Sequence, residues 1–249
     1  MNVGLYQSAA SMTALERWQD AVSQNIASSG VSGFKKRTIE VSGASMGTIN
    51  SGTAGQNVSA GVLPKISVGV SYLPGLSEPT GKPTDLAIDG PGFFQVQADG
   101  GQKLYTRDGG FHVSPDRTLV TKEGYPVLSD SGSPITLQAD AGDFQVSTDG
   151  TVTQTTSTGS TQVGKIAVFS FPNNQRLESA GNGLFNAPAD AIPTAVEKPV
   201  VMSGYLEQSN VSSINEMISL VQISRAYEAN QKTIQSQDDN MQHALDALG

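Results

Sequence analysis

The 249-residue chain contains no cysteine, which removes disulfides, thiol nucleophiles and thiolate metal ligands together. Histidine is nearly as scarce. His112 and His243 stand at no spacing that suits a metal ion, so no metal site is expected. Aromatic residues make up only 6%, and 15 basic residues face 23 acidic ones, for a formal charge of −8. A surface of that sign repels phosphate, which argues against nucleic acid as a partner. No apolar run approaches the ~20 residues that cross a bilayer, so membrane insertion is not expected. The first residues lack a basic stretch leading into an apolar one, so no cleaved signal is expected either.

Nucleotide and cofactor fingerprints are also wanting. Gly90-Pro91-Gly92 has no third glycine and runs into strand-like sequence, so it reads as a turn rather than a dinucleotide loop. Gly81-Lys82-Pro83 ends in proline where a phosphate loop needs Ser or Thr. The Asp-Gly pairs belong to no twelve-residue loop closed by Glu, as calcium would require. No cofactor, metal or catalytic residues are expected, and the chain does not read as an enzyme.

What the sequence does hold is periodicity at both ends. From Ser213 to about Leu248, Met217, Leu220, Ser224, Tyr227, Gln231, Ile234, Asp238, Met241 and Leu245 recur in steps of three and four. About 36 helical residues would form a rod of roughly 54 Å. Ser213-Ile214-Asn215-Glu216 opens it with a capping-box pattern. Near the N-terminus, Leu5, Met12, Leu15, Val22 and Ile26 share one helical face, with Ala9 and Trp18 at its margins. Gly30 is placed to close that helix in the left-handed conformation. Lys35-Lys36-Arg37 beyond it reads as a solvated loop.

Between the helices the pattern changes to strands and turns. Short β-type runs follow one another from Leu86 to Thr153, punctuated by Asp89-Gly90, Asp99-Gly100, Asp108-Gly109 and Asp149-Gly150, whose glycines tolerate positive φ. Val163 to Phe171 reads as the longest apolar strand, and residues 173–203 as irregular loop with a last strand at Val200–Met202. The fold class is therefore mixed α and β. Long N- and C-terminal helices are expected to pair as a coiled-coil layer, with a mainly antiparallel all-β central body. The expected divisions are an N-terminal helix over 1–32, a connector with short strands over 33–83, the all-β body over 84–203 and the C-terminal helix with its lead-in over 204–249. Two uses fit this pattern. The helical seams could be completed by other copies of the chain, or the helices could form a hairpin clamp on a monomeric β binding domain. In the clamp reading alone, removing residues 1–30 destabilises the body.

Three stretches resemble bacterial flagellar axial proteins of the rod and hook class, and specifically basal-body rod subunits. The first is Asn25-Ile26-Ala27-Ser28-Ser29-Gly30-Val31-Ser32-Gly33-Phe34-Lys35, where Ser28 and Val31 replace the usual Asn and Thr. The second is Asp85 to Phe94, with Gly90, Gly92 and Phe93, followed by Tyr105-Thr106-Arg107-Asp108-Gly109 and Leu119-Val120-Thr121. The third runs from Ser203 to Val211, with Gly204, Ser209 and Asn210, and continues in Arg225-Ala226-Tyr227-Glu228-Ala229-Asn230-Gln231. The resemblance implies a subunit exported unfolded by the flagellar export apparatus, without a cleaved signal. It implies assembly, with copies of itself, other rod subunits and hook-side and ring proteins, into the tube that crosses the periplasm and carries torque to the hook. Arg37 to Asn57 is short and Gly/Ser-rich, without the Leu- and Tyr-rich insert of the distal type, so the resemblance leans to the proximal subunit, with the distal one as the alternative.

Overall fold

The computed structural model describes residues 3–45, 48–50, 57–59, 62–138, 144–156 and 159–246. Its chain is mixed α and β, and every strand pairing among the described residues is antiparallel. It divides into two compact units. One gathers 1–27, 37–71 and 212–249, and the other 28–36 and 72–211.

In the first unit, α1 spans Val3–Ala27 and α2 spans Ser213–Asp246. The 34 residues of α2 include neither Gly nor Pro, so nothing interrupts its backbone ladder. Ser219, Ser224 and Thr233 donate their hydroxyls to carbonyls four residues earlier, so those groups are satisfied within the helix itself. α1 lies against α2 and against a hairpin of Arg37–Ser45 and Val62–Val70. That hairpin keeps one register for nine residue pairs, from Arg37 opposite Val70 to Ser45 opposite Val62. Pro64 sits inside it opposite Gly43, and the Gly/Ser-rich start of the connector is extended β structure.

The second unit is the β body. A six-stranded sheet runs in the order Glu178–Gly181, Leu184–Asn186, Lys103–Thr106, Phe93–Gln97, Val168–Ser170 and Thr194–Ala195. A three-stranded sheet of Phe144–Val146, Thr151–Thr156 and Gly159–Lys165 accompanies it. Leu86–Asp89 pairs with Val200–Ser203, and Ser77–Pro79 with Tyr205–Glu207. Leu86, Phe94, Val96, Val127, Val152 and Ile166 fill the core, from which water is excluded.

The expected strand from Val163 to Phe171 is two strands. Ile166 and Ala167 donate to Gly150 O and Leu128 O instead, so the chain changes sheets there. Residues 173–203 are not irregular: Glu178–Gly181 and Leu184–Asn186 form a hairpin. Its turn holds Asn182 at φ 48° before Gly183, and Asn-Gly is itself a strong hairpin signal. At the end of α1 the left-handed glycine is Gly33, at φ 68°, rather than Gly30. Gly33 also has to be glycine for space, because a Cβ there would lie 2.3 Å from the amide nitrogen of Asp108. Gly90, Gly100 and Gly150 have positive φ as expected. Gly109 does not, and its freedom from a side chain instead admits Leu86 O, which would lie 1.7 Å from a Cβ.

Candidate functional site

The three signature stretches meet in the β body around one buried carboxylate. Gly33 donates its backbone N–H to Glu207 O at 2.7 Å. Lys35 Nζ donates to Glu207 Oε1 and, at 2.9 Å, to Leu73 O. Arg107 Nη1 reaches Glu207 Oε2 at 3.1 Å and Ile88 O at 3.2 Å, while Nη2 reaches Gly90 O at 2.6 Å. Gly75 N–H adds a third donor to the carboxylate, at 3.0 Å from Oε1. Asn210 secures the flank, accepting from Lys36 N–H at 2.7 Å and donating to Leu73 O at 2.9 Å.

The solvated-loop reading of the basic cluster fails at Lys35, which is only 3% exposed. Burial lowers the Lys35 pKa, against the opposing pull of Glu207. Burial lowers that of Arg107 in the same way, and Glu207 again opposes it. Two cations on one carboxylate, each also tied to a carbonyl, form a rigid cross-link between distant segments. Removing the carboxylate would strand both charges. Glu207 lies within the third of the resembling stretches. Nothing local marks it, because its partners lie 172 and 100 residues away.

The other signature residues are also structural. Gly92 has no room for a Cβ, which would lie 2.6 Å from Val168 Cγ1. Phe93 carries the Arg107 guanidinium over its ring at 5.4 Å. Buried Tyr105 accepts from Gln95 Nε2 at 3.1 Å and meets the Phe171 ring edge-on at 4.8 Å. Gly204 donates to Asp85 O at 2.8 Å, and Ser209 Oγ accepts from Val211 N–H at 3.2 Å. Phe34 O accepts from Asn210 N–H at 3.4 Å.

In the helical unit, Asn25 is fully buried and joins three groups. Its amide nitrogen donates to Arg37 O at 2.9 Å and to Glu216 Oε2 at 3.0 Å, and its oxygen accepts from Arg37 N–H at 2.8 Å. Val22 on α1 and Ile223 on α2 are buried, and Ile223 went unnoticed in the sequence because it falls outside the expected seam. Met12, Leu15 and Ile26 are half-buried, as are Leu220, Tyr227 and Ile234. Ala226 and Asn230 are half-buried, while Ala27 and Glu228 are exposed. Met217 and Met241 are exposed, and the side chains of Leu5 and Leu245 lie outside the described ones, as does Leu248 entirely. Ile214, Met217, Ile218 and Val221 form a second apolar face, half a turn around α2 from Glu216 and Ile223. Ile214 is 73% exposed there and Met217 54%.

No group of His, Cys, Asp and Glu among the described residues could hold a metal ion. Gly43-Ala44-Ser45-Met46-Gly47 has the spacing of a hydrolase nucleophile elbow. Ser45 ends a strand, however, and the next described element is the strand Thr48–Asn50, not the helix an elbow requires.

A β body with a large buried core, a charge cluster fixed to backbone at every member and two long helices describe a structural module. The comparisons agree. Residues 87–154 match the family model described as flagellar hook protein FlgE/F/G D1 domain, and residues 202–247 match flagellar basal body rod FlgEFG protein C-terminal. The chain is 32% identical over 249 residues to the flagellar basal-body rod protein FlgF of Caulobacter vibrioides, covering 100% of this chain and 99% of that one. It is 32% identical to the flagellar basal-body rod protein FlgG of Buchnera aphidicola subsp. Schizaphis graminum, covering 93% and 95%. With FlgG of Bacillus subtilis the identity is 30%, covering 97% of each. The chain belongs to the flagellar basal-body rod protein family, whose members are structural, non-enzymatic proteins of the flagellar basal body. No described helix is long and apolar enough to cross a membrane.

Proposed function

We propose that this chain is the proximal subunit of the rod, polymerising into the shaft that crosses the periplasm and transmits torque from motor to hook. The observation that carries the reading is the exposed apolar face of α2 at Ile214, Met217, Ile218 and Val221. Such a face on a long helix is a surface awaiting other helices. In the assembled shaft α1 and α2 join those of neighbouring copies as a coiled-coil layer, and the β body lies outside it. Burying a few hundred Å² per neighbour at ~25 cal/mol per Å² contributes several kcal/mol before ordering costs. Repeated weak contacts of this kind suit a shaft under load better than any single strong site.

What supports the proximal position is the absence of a Leu- and Tyr-rich insert between Arg37 and Asn57, since FlgF and FlgG relatives both match the chain nearly end to end. The partners on this reading are further copies, other rod subunits, hook-side and ring proteins, and the export apparatus that passes the unfolded chain without a cleaved signal. Gene deletion in the source bacterium, imaged by cryo-tomography with swimming scored alongside, tests it. Motors that stop without rod, hook or swimming are expected. A short rod lacking a hook would move the subunit to the distal position, and complete flagella with normal swimming would refute the reading.

A further inference from the structure

Among the 12 asparagines of the chain, only Asn182 is followed by glycine. The pair forms the two-residue loop of the hairpin between Glu178–Gly181 and Leu184–Asn186, with Gly181 opposite Leu184. Positive φ at both loop residues, 48° at Asn182 and 74° at Gly183, makes this a type I′ turn. Asn182 is exposed, and a Cβ on Gly183 would meet nothing within 4 Å, so the loop stands open to water. The outer strand, Glu178–Gly181, is an edge of the six-stranded sheet and is exposed throughout. The inner strand buries Leu184 and Phe185. Buried Thr106 anchors the loop to that sheet, donating its hydroxyl to Gly183 O at 3.0 Å.

We propose that Asn182 is a self-modification site, converted to aspartate and isoaspartate by attack of the Gly183 backbone nitrogen, and that the folded turn withholds the reaction until the loop opens. In the step itself the Gly183 nitrogen gives up its proton and bonds to Asn182 Cγ, the Cγ–Nδ2 bond breaks, and ammonia leaves. Water then opens the five-membered imide at one carbonyl or the other, giving aspartate or isoaspartate. Glycine suits the attack because it has no side chain to crowd the nitrogen. Geometry decides when it happens. Ring closure needs that nitrogen on the Cβ side of Asn182, whereas the first central residue of a type I′ turn has ψ of about +30°, which sets it nearly opposite Cβ. Rotation about the Asn182 Cα–C bond would also pull Gly183 O away from Thr106. Isoaspartate carries the chain through its side-chain carbon and lengthens a two-residue loop, so a modified copy loses the turn that sets the hairpin's register. The site rests on the hairpin alone and not on the rod-subunit reading.

The test incubates the full chain, folded and in urea, in the same mildly alkaline buffer and follows the tryptic peptide containing residue 182 by liquid chromatography and mass spectrometry. The unfolded chain should accumulate both acid forms at that residue, and the folded chain at least about ten-fold more slowly, because the loop must open before it reacts. No acid form in the unfolded chain would remove the site, and equal rates would remove the protection by the turn. Asn182→Gln, which would have to close a larger ring, should stay unmodified in urea, and conversion at the wild-type rate would overturn the imide route. Thr106→Val, compared while circular dichroism shows it folded, should react faster than the folded wild type, and an unchanged rate would overturn Thr106 as the restraint. Chains aged to isoaspartate in urea and then refolded should exchange the amide hydrogens of Glu178–Asn186 faster than fresh chains do. Equal protection would overturn the effect on register.

Discussion

The two units of this chain differ in how much apolar surface they bury, although the body too leaves Leu73, Leu76 and Ile192 exposed. In the β body, Leu86, Phe94, Val96, Val127 and Val152 are sealed from water, and even the charged groups Lys35, Arg107 and Glu207 are buried with partners. In the helical unit, only Ala21, Val22 and Ile223 reach that state among the described apolar side chains, while Ile214, Met217, Ile218, Val221 and Met241 face solvent. The same sequence that closes a core in one unit leaves an apolar face open in the other. The body closes a large core of its own, whereas the long helix of the other unit keeps apolar side chains in water. Perturbing each unit by itself should break or sharpen that contrast.

The largest effects belong to the body. Phe94→Ala removes a fully buried ring that meets Phe111 edge-on at 5.2 Å, and should cost about 3–5 kcal/mol in urea unfolding followed by far-UV circular dichroism. Glu207→Gln should cost about as much, roughly 3–5 kcal/mol, because two buried cations lose their shared carboxylate. A loss below about 1 kcal/mol for Glu207→Gln would show that the cluster is not a cross-link. Trp18, the only tryptophan, lies in α1 and reports on the helical unit separately.

How much of this was legible in the sequence depends on the range of the interaction. The helices were legible because a period of three and four is written into neighbouring residues, and the hairpins turning at Asp99-Gly100 and Asp149-Gly150 because those pairs state their turns locally, whereas Asp89-Gly90 and Asp108-Gly109 join strands that do not pair with each other. The hairpin of Arg37–Ser45 with Val62–Val70 was not, since its first strand is too rich in Gly and Ser to show a pattern. Lys35 was misread for the same reason: two more basic residues beside it look solvated, and only Glu207, 172 residues away, buries it. Arg107, Gly33 and Asn210 were named by resemblance, but that they converge on Glu207 is information only the fold contains.

Asn25→Ala should have an intermediate effect, about 1–3 kcal/mol read by Trp18 fluorescence. It strips Arg37 and Glu216 of a buried partner while leaving the apolar contacts of α1 in place. If the body's circular dichroism melt moved as far as the Trp18 signal, the two units would not be separate in stability. A smaller effect appears at high pH. Burial raises the Tyr72 pKa to about 12, so the folded chain keeps a proton that the unfolded chain loses from about pH 10. That contribution is complete below pH 10 and fades as pH climbs through about 12, so stability should fall across this window. Tyr72→Phe should flatten the fall in an alkaline unfolding series.

The smallest effect on stability should accompany the largest effect on assembly. Ile218 and Val221 are exposed on α2, so replacing both with Gln, a good helix former, should change unfolding free energy by no more than about 0.5 kcal/mol. If that face is where a neighbouring copy docks, the same double variant should fold, be exported and yet fail to enter the shaft, which fractionation of basal bodies from the complemented deletion strain would show. Normal incorporation would mean that the open face of α2 is ordinary exposed apolar surface, and that the helical unit differs from the body in packing alone, not in purpose.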